Sequence, residues 1–403
     1  MAFAMTTVKY TGKINEVQLG KTKPLTVGGE TSYSFLTFEG KMPNPPRIAM
    51  EVWDMDPGAD WPEAVRAPFE GVLDRPGAWA KKCVEYGADM IVVQLKSSDP
   101  NGRDKGAAEA LAAVKEVLSA VDVPVAVYGV GNEKKDIETL SAVAEAFQGQ
   151  NLILGPVEDK NHKQIGAQAL AYGHVIAANT PIDVNLAKQL NILLGNLGIT
   201  TQKILIDPTT GGLGYGMEYC YSVMERIRMA GLVQQDDNLQ QPIINNMAHE
   251  VWKCKEAGQS LDDAPTLGYP DDRGVLMEAV EAVSLLLAGS DVLIMRHPEA
   301  VKLVKQYVNL LSEGGEAKAA GLKQVQAIPM DRLPKVEKKA VEPPKKEKKA
   351  AATPAKKAEP KKPEAKPAVE AKPATAPKPA VAPKKEAAPV KAEPAKVVAM
   401  DEA

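Results

Sequence analysis

The densest run of chemically capable residues is Asp207-Pro208-Thr209-Thr210-Gly211-Gly212-Leu213-Gly214-Tyr215-Gly216. A carboxylate and two hydroxyls lead into glycines, so polar groups stand beside a backbone free to approach a large flat ligand. The plain structural reading is a long loop that needs left-handed turns. Two further pairs, Asn179-Thr180 and Asn245-Asn246, have the same amide and hydroxyl character. Such groups offer donors and acceptors without net charge, which suits a ligand rich in hydrogen-bonding groups better than a divalent cation. The candidate binding residues are Asn179, Thr180, Asp207, Thr209, Thr210, Asn245 and Asn246.

Other chemistries are poorly served. Cys83, Cys220 and Cys254 are widely spaced with no C-x-x-C, so neither a zinc site nor an iron–sulfur cluster is expected in this chain. His249 and His297 have no second ligand at helical spacing and read as strand-end or capping residues. Asp159-Lys160-Asn161-His162 with Gly166 departs in both spacings from the D-x-H-x-x-G of base-off cobalamin sites, and reads as a polar helix start. Gly129-Val130-Gly131 lacks the third glycine of a dinucleotide fingerprint and reads as a tight turn.

What must position these residues is a series of β-branched runs alternating with helix-like stretches. The runs are Arg47–Asp54, Met90–Leu95, Pro124–Gly129, Asn151–Pro156, His174–Asn179, Lys203–Asp207, Pro242–Asn246 and Asp291–Met295. Between them, Ala107, Leu111, Val114, Leu118 and Val121 form one helical stripe. Thr180-Pro181-Ile182-Asp183 reads as an N-cap followed by a proline at the first helical position, and glycines at 195 and 198 supply a left-handed stop. Eight strands, each followed by a helix, predict an α/β fold, a parallel sheet closed into a (β/α)8 TIM barrel. An open doubly wound sheet is the competitor. Val17–Gly40, with a turn at Gly28-Gly29, predicts a hairpin covering the barrel. In such barrels function sits at the carboxyl ends of the strands, where the candidate residues fall.

Charge divides the chain. From Asp331 to Ala403 it carries a net +8, with 13 prolines and no glycine or aromatic residue; the part before it carries −11. The segment 316–403 is therefore expected to be a disordered basic tail, with tethering to an acidic partner, or to nucleic acid, as an added role. Residues 1–46 form an N-terminal extension and 47–315 the barrel. The acidic body argues against a nucleic-acid-binding core. No stretch is apolar enough for a membrane span, and no signal sequence is visible at the start. Three isolated cysteines fit a reducing cytoplasm. Trp53, Trp61, Trp79 and Trp252 are candidate interface anchors, although such residues more often serve ordinary packing.

Glu51-Val52-Trp53-Asp54, Asn179-Thr180-Pro181-Ile182-Asp183-Val184-Asn185, the Asp207–Gly216 loop and Asp291-Val292-Leu293-Ile294-Met295-Arg296-His297-Pro298 together resemble the small (delta) subunit of the corrinoid iron–sulfur protein of the carbon monoxide dehydrogenase/acetyl-CoA synthase system. The likeness covers roughly residues 10–312; the Lys/Ala/Pro tail is outside the pattern. The resemblance implies a barrel without a cofactor of its own, paired with a large (gamma) subunit that carries a corrinoid (cobalamin) and a 4Fe-4S cluster. Such a heterodimer takes a methyl group from methyltetrahydrofolate or methyltetrahydropterin through a methyltransferase, and delivers it to acetyl-CoA synthase in the reductive acetyl-CoA pathway. On that view the candidate residues face the partner's corrin ring and shield its cobalt.

A rival reading gives the barrel its own chemistry. Asp207-Pro208 before a glycine loop is similar to the Asp-Pro-Gly turn of dihydropteroate synthases, though Thr209-Thr210 interrupts the likeness. The chain would then bind methylpterin itself, as the methyltetrahydrofolate:corrinoid methyltransferases do. A third reading is a purely structural subunit.

Overall fold

The computed structural model describes residues 6–313, and the tail expected at 316–403 lies outside them. The hairpin strands are β1 (Val17–Leu19) and β2 (Leu25–Val27). The strands that follow are β3 (Arg47–Trp53), β4 (Met90–Gln94), β5 (Val125–Tyr128), β6 (Ile153–Val157), β7 (Val175–Asn179), β8 (Ile204–Asp207), β9 (Ile244–Asn246) and β10 (Val292–Met295). These eight are parallel and run β8-β7-β6-β5-β4-β3-β10-β9, a cyclic permutation of chain order. A parallel bridge between Ile206 and Ile243, with the Ile206 N–H donating to the Pro242 carbonyl at 2.8 Å, joins the first to the last. The sheet is therefore a closed (β/α)8 barrel, and the open alternative is excluded.

The continuous apolar runs follow from burial on both faces. One set of alternate residues, including Ala49, Met90, Val92, Ala126, Val175, Leu205, Ile244 and Ile294, fills the barrel interior, and Val17, Leu19 and Val27 of the hairpin join this cluster. The intervening residues, such as Met50, Val52, Ile91, Val93 and Ile206, pack outward against the helices. The hairpin thus closes the inside of the barrel, as expected. Its turn lies between Leu19 and Leu25, however, because Gly28 and Gly29 follow β2 and adopt φ of 82° and 96° there.

Two other local expectations are corrected. Helix Ala107–Ala120 buries Ala110, Ala113, Val114 and Val117, leaving Leu111 and Leu118 at the edge of the contact. Helix Val184–Asn196 is capped by Asp183, whose Oδ1 accepts the N–H groups of Asn185 (2.7 Å) and Leu186 (3.0 Å). Pro181 consequently lies ahead of the helix rather than in its first turn. The stop occurs at Gly198, φ 94°, as its left-handed freedom predicts. The four tryptophans are buried: Trp53, Trp61 and Trp79 meet edge-to-face in sequence, and Trp252 stacks on His297. They are packing residues and not exposed anchors.

Candidate functional site

Extending the inward alternation of each strand by one step reaches a polar layer. It comprises Glu51 (β3), Gln94 (β4), Tyr128 (β5), Asn179 (β7), Asp207 (β8), Asn246 (β9) and Arg296 just past β10. On β6 the corresponding residue is Gly155, where a side chain would crowd Ala177 and the Tyr128 ring. This layer floors a cavity of about 1020 Å³ at the carboxyl end of the barrel, also lined by Trp53, Lys96, Thr209, Thr210, His249 and Trp252.

One wall is built on Asp207. Asn179 and Asp207 are register partners on β7 and β8. Asp207 Oδ1 accepts the Thr209 N–H at 3.1 Å, Thr209 Oγ1 donates to the Thr180 carbonyl at 2.7 Å, and Asn179 Nδ2 donates to Thr209 Oγ1 at 3.2 Å. These bonds hold Thr209 at φ 58°, a region that a β-branched residue enters only with strain of order 1–3 kcal/mol. Burial pushes the Asp207 carboxyl up to about 6, with the Thr209 and Asn179 hydrogen bonds opposing that rise. The Tyr128 hydroxyl, buried in the same floor, has no partner among the described residues.

The opposite wall is a clamped ion pair. Arg296 Nε and Nη2 meet Glu51 Oε2 and Oε1 at 2.8 and 3.1 Å, with both side chains buried. Trp53 Nε1 donates to Glu51 Oε1 at 2.6 Å, and the guanidinium carbon lies 4.4 Å from the centre of the Trp61 ring. Burial alone would raise the Glu51 carboxyl, but the Arg296 charge and hydrogen bonds outweigh it and hold it below the ordinary range. Behind this wall, Glu278 accepts the N–H groups of Arg296 (2.5 Å) and His297 (3.1 Å) and the Trp252 indole N–H (3.0 Å). Burial lifts Glu278 to about 7.

Of the candidate residues, the cavity brings together Asn179, Asp207, Thr209, Thr210 and Asn246. Thr180 faces a neighbouring groove of about 470 Å³, which shares Asn179 and Thr209 with the main cavity. Asn245 is not at the mouth: it is fully buried, and its Nδ2 donates to Thr210 Oγ1 at 3.2 Å and reaches Met224 Sδ on the surrounding helix. Ile244 points inward, so the next residue must point outward. The glycines at 211–216 also depart from expectation. The loop folds on itself, a side chain at Gly211 would strike the Gly216 carbonyl, and Glu281 Oε2 accepts the Leu213 N–H at 2.7 Å. Those glycines serve the loop's own packing. Gly129-Val130-Gly131 is the tight turn expected, with Asp136 Oδ1 accepting the Val130 N–H at 2.8 Å. His162 opens helix His162–Tyr172, and His297 Nδ1 accepts the Glu299 N–H, a capping role.

Fold and cavity together define the class, a (β/α)8 barrel with a ligand-sized polar chamber at its catalytic-type face. Residues 16–309 match the family model described as CO dehydrogenase/acetyl-CoA synthase delta subunit, and the chain belongs to that family. The delta subunit of the acetyl-CoA decarbonylase/synthase complex from Archaeoglobus fulgidus is 38% identical over 317 residues, 75% of this chain and 69% of the relative. The delta 1 subunit from Methanosarcina thermophila is 38% identical over 323 residues (77% and 73%), and the Methanopyrus kandleri subunit 36% over 313 (75% and 76%). Among solved structures, dihydropteroate synthase from Xanthomonas albilineans superposes with a TM-score of 0.47 at 13% identity, covering 74% of this chain and 98% of that one. Among the described residues, no helix is long and apolar enough to cross a membrane.

Proposed function

We propose that this chain is the small subunit of a two-subunit corrinoid methyl carrier, and that its barrel mouth covers one face of a corrinoid held by a large partner subunit. Family membership over residues 16–309 supports a place in an acetyl-CoA decarbonylase/synthase complex. The observation that carries the finer reading is the chamber itself, wide, polar and furnished with hydrogen-bonding groups the protein leaves unused. The Tyr128 hydroxyl and Asn246 Oδ1 are buried without a partner among the described residues, and Arg296 is bonded through Nε and Nη2, leaving its Nη1 edge. A corrin rim bears many amide groups and fits such a surface.

A corrinoid held by the partner beneath this mouth would supply a nucleophilic cobalt as the methyl acceptor. This chain's residues hydrogen-bond the rim and exclude water from the face above the floor. The methyl would come from methyltetrahydrofolate or methyltetrahydropterin through a methyltransferase and pass to acetyl-CoA synthase, so the cover must lift. A difference of a few kcal/mol between covered and open states keeps the open form populated. In the reconstituted heterodimer, Asn179→Ala and Asn246→Ala should shorten the lifetime of cobalt(I). Unchanged decay with unchanged methyl transfer would overturn the reading.

One observation favours a second reading, in which the chain itself binds methylpterin. Asn179 stands in register with Asp207, whose carboxyl is raised by burial to about 6, closer to the range in which a group can deliver a proton to a leaving nitrogen. Calorimetry of the isolated chain with methyltetrahydrofolate separates the two: micromolar binding supports the enzyme, and no binding supports the cover.

A further inference from the structure

The Arg296 guanidinium is fixed along all but one edge. Glu51 takes Nε and Nη2, and Trp61 covers its face. Nη2 also lies 3.5 Å from His249 Nδ1. Nη1 has no acceptor among the described residues, and Arg296 lines the cavity. On the neighbouring strand Asn246, register partner of Ile294 and so two steps below Arg296, lines the same wall; its Oδ1 is buried without a partner, and its amide nitrogen makes no bond among the described residues. One clamped donor, Arg296 Nη1, and one unbonded amide nitrogen, Asn246 Nδ2, therefore line the same wall of the chamber, and a hydrogen-bond acceptor on the ligand is what they lack.

Charge decides which acceptor. Every cation lining the cavity is matched: Arg296 by Glu51, Lys96 by Asp99 at 2.7 Å, Lys253 by Glu250 at 3.5 Å. Asp60 and Asp207 line the same space without a paired cation. Burial first, and then the Arg296 charge, lowers the His249 imidazole, so it adds no positive charge at neutral pH. An incoming carboxylate or phosphate would meet a wall that is neutral to negative, and it would lose its hydration without a compensating cation. A neutral carbonyl oxygen loses far less on desolvation than an ion does, and it gains two donors, one of them charged.

We propose that Arg296 and Asn246 form a specificity subsite that reads a neutral carbonyl oxygen, that of a carboxamide or ester, on the ligand entering the mouth. This rests on the reading of the mouth as a corrinoid cover, and it adds that the cover selects against acidic rims.

The test uses the full chain and three probes with the same axial cyanides: dicyanocobinamide with rim carboxamides, the heptamethyl ester of dicyanocobyrinic acid, and the free heptacarboxylic acid. Binding is followed by quenching of tryptophan fluorescence, since Trp53 and Trp61 pack on the subsite. Amide and ester should bind within a few-fold of each other, and the acid at least roughly ten-fold more weakly. Arg296→Lys should weaken the two neutral probes by roughly ten-fold or more, and Asn246→Ala by about three- to ten-fold, the range for a charged and a neutral hydrogen bond. Asn246→Ala keeps the test open should the Arg296 variant fold poorly. If the acid binds as tightly as the amide, or if neither substitution changes the neutral probes, the subsite is refuted while the cover stands. If no probe quenches, the subsite is refuted, and the cover is judged separately by the cobalt(I) lifetime in the reconstituted heterodimer.

Discussion

Replacing Glu51 by Ala should be among the most damaging single changes at the mouth. The carboxylate makes a forked contact with Arg296 at 2.8 and 3.1 Å and accepts the Trp53 indole N–H at 2.6 Å, with both charged side chains almost wholly buried. Removing it strands a guanidinium between two tryptophan rings. Losing one partner of a buried pair costs about 3–5 kcal/mol, because the survivor stays desolvated and unpaired. For a barrel of this size that amounts to a fall in Tm of roughly 10 °C. The double substitution Glu51→Leu with Arg296→Met should recover most of the loss, since an apolar pair of similar volume carries no desolvation cost. Glu51→Gln adds a pH signature. The native carboxyl titrates below its ordinary value, so the stability it contributes is present above the unfolded-state value and is lost as pH falls through the folded one. The gap between native and Glu51→Gln should therefore be full at pH 7 and close in acid. Urea denaturation followed by tryptophan fluorescence measures all three variants. A Glu51→Ala unfolding free energy within about 1 kcal/mol of native, or a double variant no better than the single, would refute the clamp.

Three further outcomes follow from the same geometry. Glu30 is buried with Asp291 and Arg228, and burial and then Asp291 push its carboxyl well above its usual range, so folding takes up a proton. Stability should fall as pH rises from the unfolded-state value toward the folded one, and Glu30→Gln should remove that slope in urea titrations. Asp183→Ala removes a cap that accepts two helical N–H groups and should cost about 1 kcal/mol without changing probe binding. At Gly129 a side chain would overlap Asp136, the carboxylate that holds the turn through the Val130 N–H. Gly129→Ala should lower the unfolding free energy by about 1–3 kcal/mol and weaken corrinoid quenching, because the turn lines the cavity.

The strands were legible almost residue by residue because both of their faces are buried, which leaves apolar runs bounded by turn residues. Closure of the barrel followed from their number. Parity was not legible. Ile243 and Ile244 are equally apolar, so nothing in the sequence says which faces the interior, and the choice between Asn245 and Asn246 waits on it. The Glu51–Arg296 pair was hidden for a different reason: its members are 245 positions apart and become neighbours only when β3 and β10 pair at the closure. Glu278 and Glu281 sit on a helix, where acids ordinarily face water, yet both are fully buried and hold backbone N–H groups of the mouth. Gln94 and Tyr128 were hidden by the same equality, because the runs before them, Met90 to Val93 and Val125 to Val127, are apolar and buried at every position.

The most direct test of the account is absorption spectroscopy of the purified chain alone and then bound to its large partner. The account predicts a colourless single chain, free of stoichiometric iron and corrinoid, with corrinoid and iron–sulfur bands present only in the pair. A single chain that retained tightly bound corrinoid or stoichiometric iron would contradict it.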